Sequence, residues 1–228
     1  MNSIRQNIQY RPYILWTNGL SLALLIGLSL YAILGDNGSL VKHLFFQLYN
    51  REEPFYGSLA TFPNLFLCVG MSVCAFAVAL LRQIHPRRKL DLFILGCGIL
   101  TGSVLFDRFF RLTITLYIHW KAAKVVMILI YLATALIFWL CFRKRVMKTP
   151  YGFLAIALFC LVVSEGADLT KLKGVGGPAM FEGGGYFIAS LNIGLYLWIT
   201  CLQQIFQSLH RFFGIAVGPE LTSDPSSD

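Results

Sequence analysis

The chain has 228 residues, of which 57% are hydrophobic and only 13% are charged, against ~25% charged in an ordinary soluble domain. The formal net charge is +8, but the sequence contains no separate basic domain, so we do not expect nucleic acid as a partner. The apolar residues form long runs without period-two alternation, which excludes a membrane β-barrel and predicts an all-α, polytopic membrane helix bundle.

Six apolar runs are predicted as transmembrane helices, in chain order Tyr13–Leu34, Ser58–Leu81, Leu92–Phe110, Val125–Phe142, Tyr151–Ser164 and Tyr186–Phe206. The fifth run is the shortest, because its length gives a helix of only ~21 Å. We therefore expect this helix to continue through Glu165 and Asp168. Residues 1–213 are assigned to one transmembrane domain, and the polar segment 214–228 to a tail that we expect to be disordered.

The orientation follows from the basic residues. Six spans place both termini on one side, and 11 of the 19 Lys and Arg residues fall on that side. The short loops RQIHPRRK and RKRVMK carry the clearest signal, so both termini are predicted to be cytoplasmic. The positive charge then reflects topology and attraction to anionic headgroups, which makes the lipid bilayer an expected partner.

The acidic residues concentrate on the opposite, non-cytoplasmic side. Because ionisable groups at membrane depth are costly and often functional, this side is where a site is expected. The candidate polar cluster there contains eight residues, Glu52, Glu53, Asp107, Arg108, Arg111, Glu165, Asp168 and Glu182.

Helix capping is one explanation for part of this cluster. Glu52 and Glu53 directly precede the second span, where carboxylates complement the helix dipole. Pro54, which follows them, suits a first helical turn. Glu182 precedes GGGYF and is likewise interpreted as lying at a helix start.

Two pairs of charged residues suggest a site beyond capping. Asp107 and Arg111 are four residues apart and can pair on one helix face. Glu165 and Asp168 share a face at a helix C-terminus, the unfavourable end for anions, so they need a basic neighbour, a cation or a proton. We predict that Glu165, Asp168, Asp107 and Arg111 form one connected site; simple solvation or an interfacial ion pair is the alternative.

Other motifs point to packing rather than chemistry. GILTG, from Gly98 to Gly102, is a G-x-x-x-G pattern that predicts close helix packing. The six cysteines all fall in apolar runs and are interpreted as small buried hydrophobes. The glycine-rich bridge KGVGGPAM could be a lid or a plain loop. No cofactor, metal-ligand set or known catalytic motif is predicted.

Three short acidic motifs carry a resemblance: REEPFYG with Glu52 and Glu53, FDRFFRL with Asp107, and FEGGGYF with Glu182. In these the chain resembles uncharacterised bacterial six-helix membrane proteins that have acidic motifs at the helix ends of one face. RFFRLTI replaces the histidine and second acid of that group, and a single glutamate opens the last span. The resemblance implies the six-helix architecture, a bacterial inner membrane and a set of positions, without an activity.

Three functions remain open from the sequence. The first is an accessory, scaffold or assembly protein that binds a membrane-protein partner, and it requires only the features described. The second is a small proton- or cation-coupled transporter, in which Glu165, Asp168 and Asp107 would couple ion movement to transport. The third is a membrane-embedded enzyme that acts on lipid or polyprenyl substrates through carboxylates. The sequence favours a protein that is not an enzyme.

Overall fold

The computed structural model describes residues 2–35, 44–45, 58–84, 88–110, 116, 120, 123–169 and 177–212. Within these ranges the chain contains no strand, and its long elements are six helices. They are α1 (Asn2–Leu34), α2 (Ser58–Ile84), α3 (Arg88–Phe110), α4 (Ala123–Val146), α5 (Gly152–Leu169) and α6 (Gly177–Phe212). The predicted tail 214–228 lies outside the described residues.

Five of these helices contain a segment long and apolar enough to cross a membrane: Pro12–Leu34, Thr61–Gln83, Leu92–Phe110, Val125–Val146 and Met180–Leu209. The remaining helix, α5, is apolar but shorter, with its apolar part at Gly152–Ala167. As predicted, α5 does not stop at Ser164 but continues through Glu165 and Asp168. The longer helix reaches ~27 Å at 1.5 Å per residue, close to the ~30 Å hydrocarbon core of a bilayer.

The last helix begins earlier than the sequence predicts, at Gly177 instead of Tyr186. Pro178 is its second residue, and proline suits a first helical turn because its φ is already helical and it has no N–H to satisfy. The assignment of Glu182 to a helix start was therefore wrong, since Glu182 lies in the second turn. Residues 177–180 of the glycine-rich bridge are helical, not loop.

Helix α6 is the centre of the bundle. Helices α5 and α2 pack along it, α3 packs on α2, α4 contacts α3, and α1 contacts both α6 and α5. In its most apolar window, 56% of the residues of α6 are buried, whereas none are buried in the corresponding window of α4. Most of the tertiary structure therefore depends on how closely other helices approach α6.

Glycines permit this close approach. A Cβ on Gly185 would lie 3.0 Å from the carbonyl oxygen of Cys160 in α5. A Cβ on Gly184 would lie 3.0 Å from the Leu25 side chain of α1, and one on Gly194 would lie 3.2 Å from the Phe66 carbonyl oxygen of α2. Three neighbouring helices thus meet α6 where it has no side chain.

The predicted packing role of GILTG in α3 is confirmed. A Cβ on Gly98 would lie 3.2 Å from the Cβ of Cys74, and one on Gly102 would lie 3.0 Å from the sulfur of Met71. Both neighbours belong to α2. Small residues spaced by one turn let two apolar helices pack closely when no hydrophobic effect drives them together in lipid.

A reciprocal amide pair joins α1 to α6. The side-chain nitrogen of Asn18 donates to the side-chain oxygen of Asn192 over 3.0 Å, and the Asn192 nitrogen donates back over 2.7 Å. Each nitrogen also donates to a carbonyl oxygen one turn earlier, that of Ile14 or that of Ile188. Asn192 is fully buried, so the pair satisfies polar groups that would be costly in an apolar interior.

The turn between α4 and α5 is anchored on α6 as well. Buried Thr149 shares a 2.9 Å hydrogen bond with the hydroxyl of Tyr196 and donates another over 2.7 Å to the carbonyl oxygen of Val146. The basic segment RKRVMK is only partly a loop: Arg143–Val146 form the last turn of α4, and Met147 and Lys148 form the turn that follows. Val146 is buried, whereas Arg143 and Lys148 remain exposed.

We expect Gly185→Ala to lower the free energy of unfolding by ~1–3 kcal/mol, because the new methyl group would meet the backbone of α5, which cannot move aside. Gly166→Ala is the matched control, since nothing lies within 4 Å of a Cβ there. This control should be neutral or stabilising by up to ~1 kcal/mol through helix propensity. Reversible unfolding in mixed micelles measures both; equal effects would contradict the close α5–α6 packing.

Candidate functional site at the acidic end

We call one end of the bundle the acidic end, because it carries the described carboxylates of α3, α5 and α6: Asp107, Glu165 and Glu182. Two contacts bring these helix ends together. Arg108 of α3 lies over the ring of Tyr186 of α6, and Ser164 of α5 donates a 2.7 Å hydrogen bond to the carbonyl oxygen of Glu182. The contacts of α6 thus link α3 and α5 at this end.

Asp107 interacts with a tyrosine of another helix. The hydroxyl of Tyr131 in α4 lies close enough to its carboxylate to interact with it. Both side chains are partly exposed. This interaction connects the last turn of α3 to the first half of α4, so Asp107 has a structural partner that sequence spacing does not indicate.

Arg108 is positioned by the aromatic ring of Tyr186. Its guanidinium carbon lies 3.5 Å from the ring centroid, which is a close cation–π contact. Tyr186 is only 7% exposed, and its hydroxyl makes no hydrogen bond within the described part of the chain. Arg108 itself is exposed, so a buried ring holds a guanidinium at the surface of the bundle.

The ends of α5 and α6 are joined through Ser164. This buried residue uses its hydroxyl to satisfy the Glu182 carbonyl, at the level where Gly185 lets the two helices approach. Glu165 and Glu182 are partly exposed, and each takes part in an interaction. Both carboxylates therefore lie at a well-packed helix junction.

The structure describes some residues of the predicted polar cluster and not others. Arg108 and Asp107 are neighbours at the end of α3, while Glu165 and Glu182 lie at the α5–α6 junction. Three predicted residues lie outside the described part of the chain: Glu52, Glu53 and Arg111. The backbone of Asp168 is helical, but its side chain is likewise outside the described part. One connected site of Glu165, Asp168, Asp107 and Arg111 stays a prediction.

An apolar cleft of about 520 Å³ lies between α1, α5 and α6. Its lining is contributed by Leu22, Leu25, Ile26, Ser29, Ala32, Ile33, Phe159, Cys160, Val163, Met180, Phe181, Gly185 and Ile188. The hydroxyl of Ser29 donates to the carbonyl oxygen of Leu25 over 2.9 Å, so it is already satisfied. No ionisable carboxylate or basic group is among these lining residues.

Three cysteines lie in the core between α2, α3 and α6. Cys74, Cys97 and Cys201 are buried, and the sulfurs of Cys74 and Cys201 are 3.8 Å apart as free thiols. Such thiols behave as small apolar side chains. Over the described ranges, no group of three or more His, Cys, Asp and Glu side chains is arranged to hold a metal ion.

A family model described as a domain of unknown function, DUF8692, matches residues 19–205. The chain belongs to the DUF8692 family. The match includes the central helix region, the acidic end and the cleft. Comparison with curated proteins and with solved structures finds no match to the chain. The resemblance to bacterial six-helix membrane proteins stays a prediction beside this family assignment.

The sequence of this DUF8692 chain indicated the charged residues Asp107 and Arg108, but not the tyrosines that contact them. Tyr131 and Tyr186 each lie in an apolar run of the sequence, and nothing in their spacing indicates which residue of another helix they contact. Asn18 and Asn192 gave a usable signal, because an isolated amide in an apolar helix needs an interhelical partner. Spacing along the chain could not pair them, since they are on different helices.

We expect Tyr131→Phe to lower the free energy of unfolding by about 1 kcal/mol, because Asp107 loses a hydrogen-bond donor. In an Asp107→Ala background the same substitution should have almost no further effect. Tyr13→Phe, at an exposed tyrosine of α1, is the control and should be neutral. Additive effects of Tyr131→Phe and Asp107→Ala in mixed-micelle unfolding would contradict the interaction.

Proposed function

We propose that the protein is an integral membrane protein with six transmembrane helices, both termini in the cytoplasm and the acidic end on the other side. Five apolar helices of sufficient length support this, and α5 is close to spanning length. Contacts at both ends of α6 support antiparallel neighbours. Near the end of α6, Gln203 donates a hydrogen bond to Tyr10 near the start of α1; near the start of α6, the carbonyl of Glu182 accepts one from Ser164 near the end of α5. A bacterial inner membrane is the proposed location, from the resemblance.

Within that membrane we propose an accessory role, in which the protein holds a partner membrane protein through α4. The observation that carries this is the packing of α4, since none of the residues in its apolar window is buried. It is attached to α3 mainly by aromatic side chains. Phe138 and Phe142 pack against Phe93 with ring centroids 5.9 Å and 5.6 Å apart. Phe138 also lies against Gly96, and Tyr131 interacts with Asp107.

Weak packing of α4 matters because lipid is as apolar as the helix. The hydrophobic effect does not hold a helix to its bundle within a bilayer, so packing contacts and hydrogen bonds must do so. The face of α4 opposite Phe138, with Leu136 and Leu140, is exposed. A second transmembrane helix that packs there would provide the contacts that this bundle does not.

The polar groups support an accessory role over transport or catalysis. A coupled transporter needs ionisable groups near the bilayer midplane, whereas Asp107, Glu165 and Glu182 lie at helix ends. A carboxylate enzyme for lipid substrates needs its acids at a lipid-accessible cleft, and the lining residues of the described cleft include none.

We test the accessory role by placing a photo-crosslinking amino acid at Leu136 in the full-length chain in its own membrane. Phe76, on the exposed face of α2, is the matched control, because the two side chains are 56% and 64% exposed. We expect Leu136, and not Phe76, to crosslink to one membrane protein, and a probe in that partner to crosslink back to α4. Lipid adducts alone at both positions would contradict the proposal.

The same experiment also detects self-association, in which the crosslinked partner is a second copy of this chain. Leu140 lies on the same exposed face of α4 as Leu136, so a symmetric contact through this face would bring two copies of a Leu140→Cys substitution close together. An oxidative crosslink between two chains that carry Leu140→Cys and Cys141→Ser would mean that α4 serves self-association. That outcome would overturn the accessory role with a different protein.

A further inference from the structure

The position of Arg108 places it at the level of lipid headgroups. It lies in the last turn of α3, at the end of the apolar segment Leu92–Phe110. Phe109 and Phe110, which follow it, are exposed, and exposed aromatic residues at a helix end are typical of the membrane–water interface. Arg108 is also exposed and lies at the same level.

The contact with Tyr186 fixes how this guanidinium is presented. A guanidinium carbon 3.5 Å from the ring centroid leaves room for the flat face of the group against the ring and not for its edge. We infer that the five N–H donors, which lie in the plane of the group, point outward. The ring below is almost fully buried and cannot swing away freely. The stack therefore holds the N–H edges in a fixed orientation before a ligand arrives, which lowers the entropic cost of binding.

The neighbouring residue, Asp107, lies on another side of α3, because adjacent helical residues differ by ~100° around the axis. Its carboxylate interacts with Tyr131 of α4. The two charged residues at the end of α3 thus contact tyrosines of two different helices. Arg108 supplies the positive charge on the α6 side.

We propose that Arg108, held by Tyr186, binds the phosphate group of a bilayer phospholipid. Arginine matches a phosphate with two parallel N–H···O bonds, a geometry that an ammonium group cannot reproduce. A phospholipid is the assigned source rather than free phosphate, because the residue lies at a helix end between exposed phenylalanines, where lipid phosphates are concentrated. The Tyr186 ring is the platform, and its buried hydroxyl takes no part.

The test uses the full-length protein, purified and delipidated in detergent. Phosphatidylglycerol in the same detergent is titrated while the thermal midpoint is followed, since a ligand of the folded state raises it by mass action. Diacylglycerol with the same chains, which lacks the phosphate, and inorganic phosphate are titrated in parallel. We expect a saturable rise with phosphatidylglycerol only.

The variants distinguish the contribution of the Arg108 guanidinium to binding from the contributions of the Tyr186 ring and of positive charge alone. Arg108→Gln should weaken binding by ~10-fold or more, because a charge-assisted pair of hydrogen bonds is lost. Arg108→Lys should weaken it less. Tyr186→Leu should weaken it several-fold, whereas Tyr186→Phe, which keeps the ring, should bind as the wild type does.

Arg143→Gln is the matched charge control, because Arg143 lies over the Trp139 ring at 5.5 Å and is also exposed. It should leave the effect of phosphatidylglycerol unchanged. Undiminished binding by both Arg108→Gln and Arg108→Lys would overturn the site. An equal response to inorganic phosphate would overturn the lipid assignment, and an equal response to diacylglycerol would show that only the chains are bound.

Discussion

Helix backbones approach one another closely along α6, and this packing determines how the remaining helices are arranged. In a membrane the lipid competes for every apolar surface, so helices stay together only where they pack more closely than lipid can. Gly184, Gly185 and Gly194 provide three such places, for α1, α5 and α2 respectively. The arrangement of the other helices follows, since α3 packs on α2 and α4 contacts α3.

Polar groups in the described interior serve mainly to fix helix pairs. The amides of Asn18 and Asn192 bond to each other between α1 and α6. The hydroxyl of Thr149 meets Tyr196 at the α4–α5 turn. Because buried polar groups are costly unless paired, these contacts fix the register of the helices. The chemistry that remains accessible lies at the helix ends, and this is why Arg108 and the acidic end carry the proposals.

Hydrophobic runs predicted the helical class, the starts of most spans and the continuation of α5 past Ser164, since these depend on local composition. The start of α6 was wrong because the glycine run was interpreted as a break, whereas those glycines are packing surfaces within a helix. The sequence also identified Asp107 and Arg108. Their partners Tyr131 and Tyr186 depend on helix rotation and on which helices are neighbours, and neither quantity is encoded by spacing within one segment.

We propose that the chain crosses the membrane six times, with α5 as a full span. The direct measurement is labelling with a membrane-impermeant thiol reagent, using single cysteines at Gly35, Lys148 and Asp228 in a cysteine-free background. We predict that Gly35→Cys reacts in intact cells, while Lys148→Cys and Asp228→Cys react only after permeabilisation. Reaction of Asp228→Cys from the same side as Gly35→Cys would mean five crossings and would contradict a full span by α5.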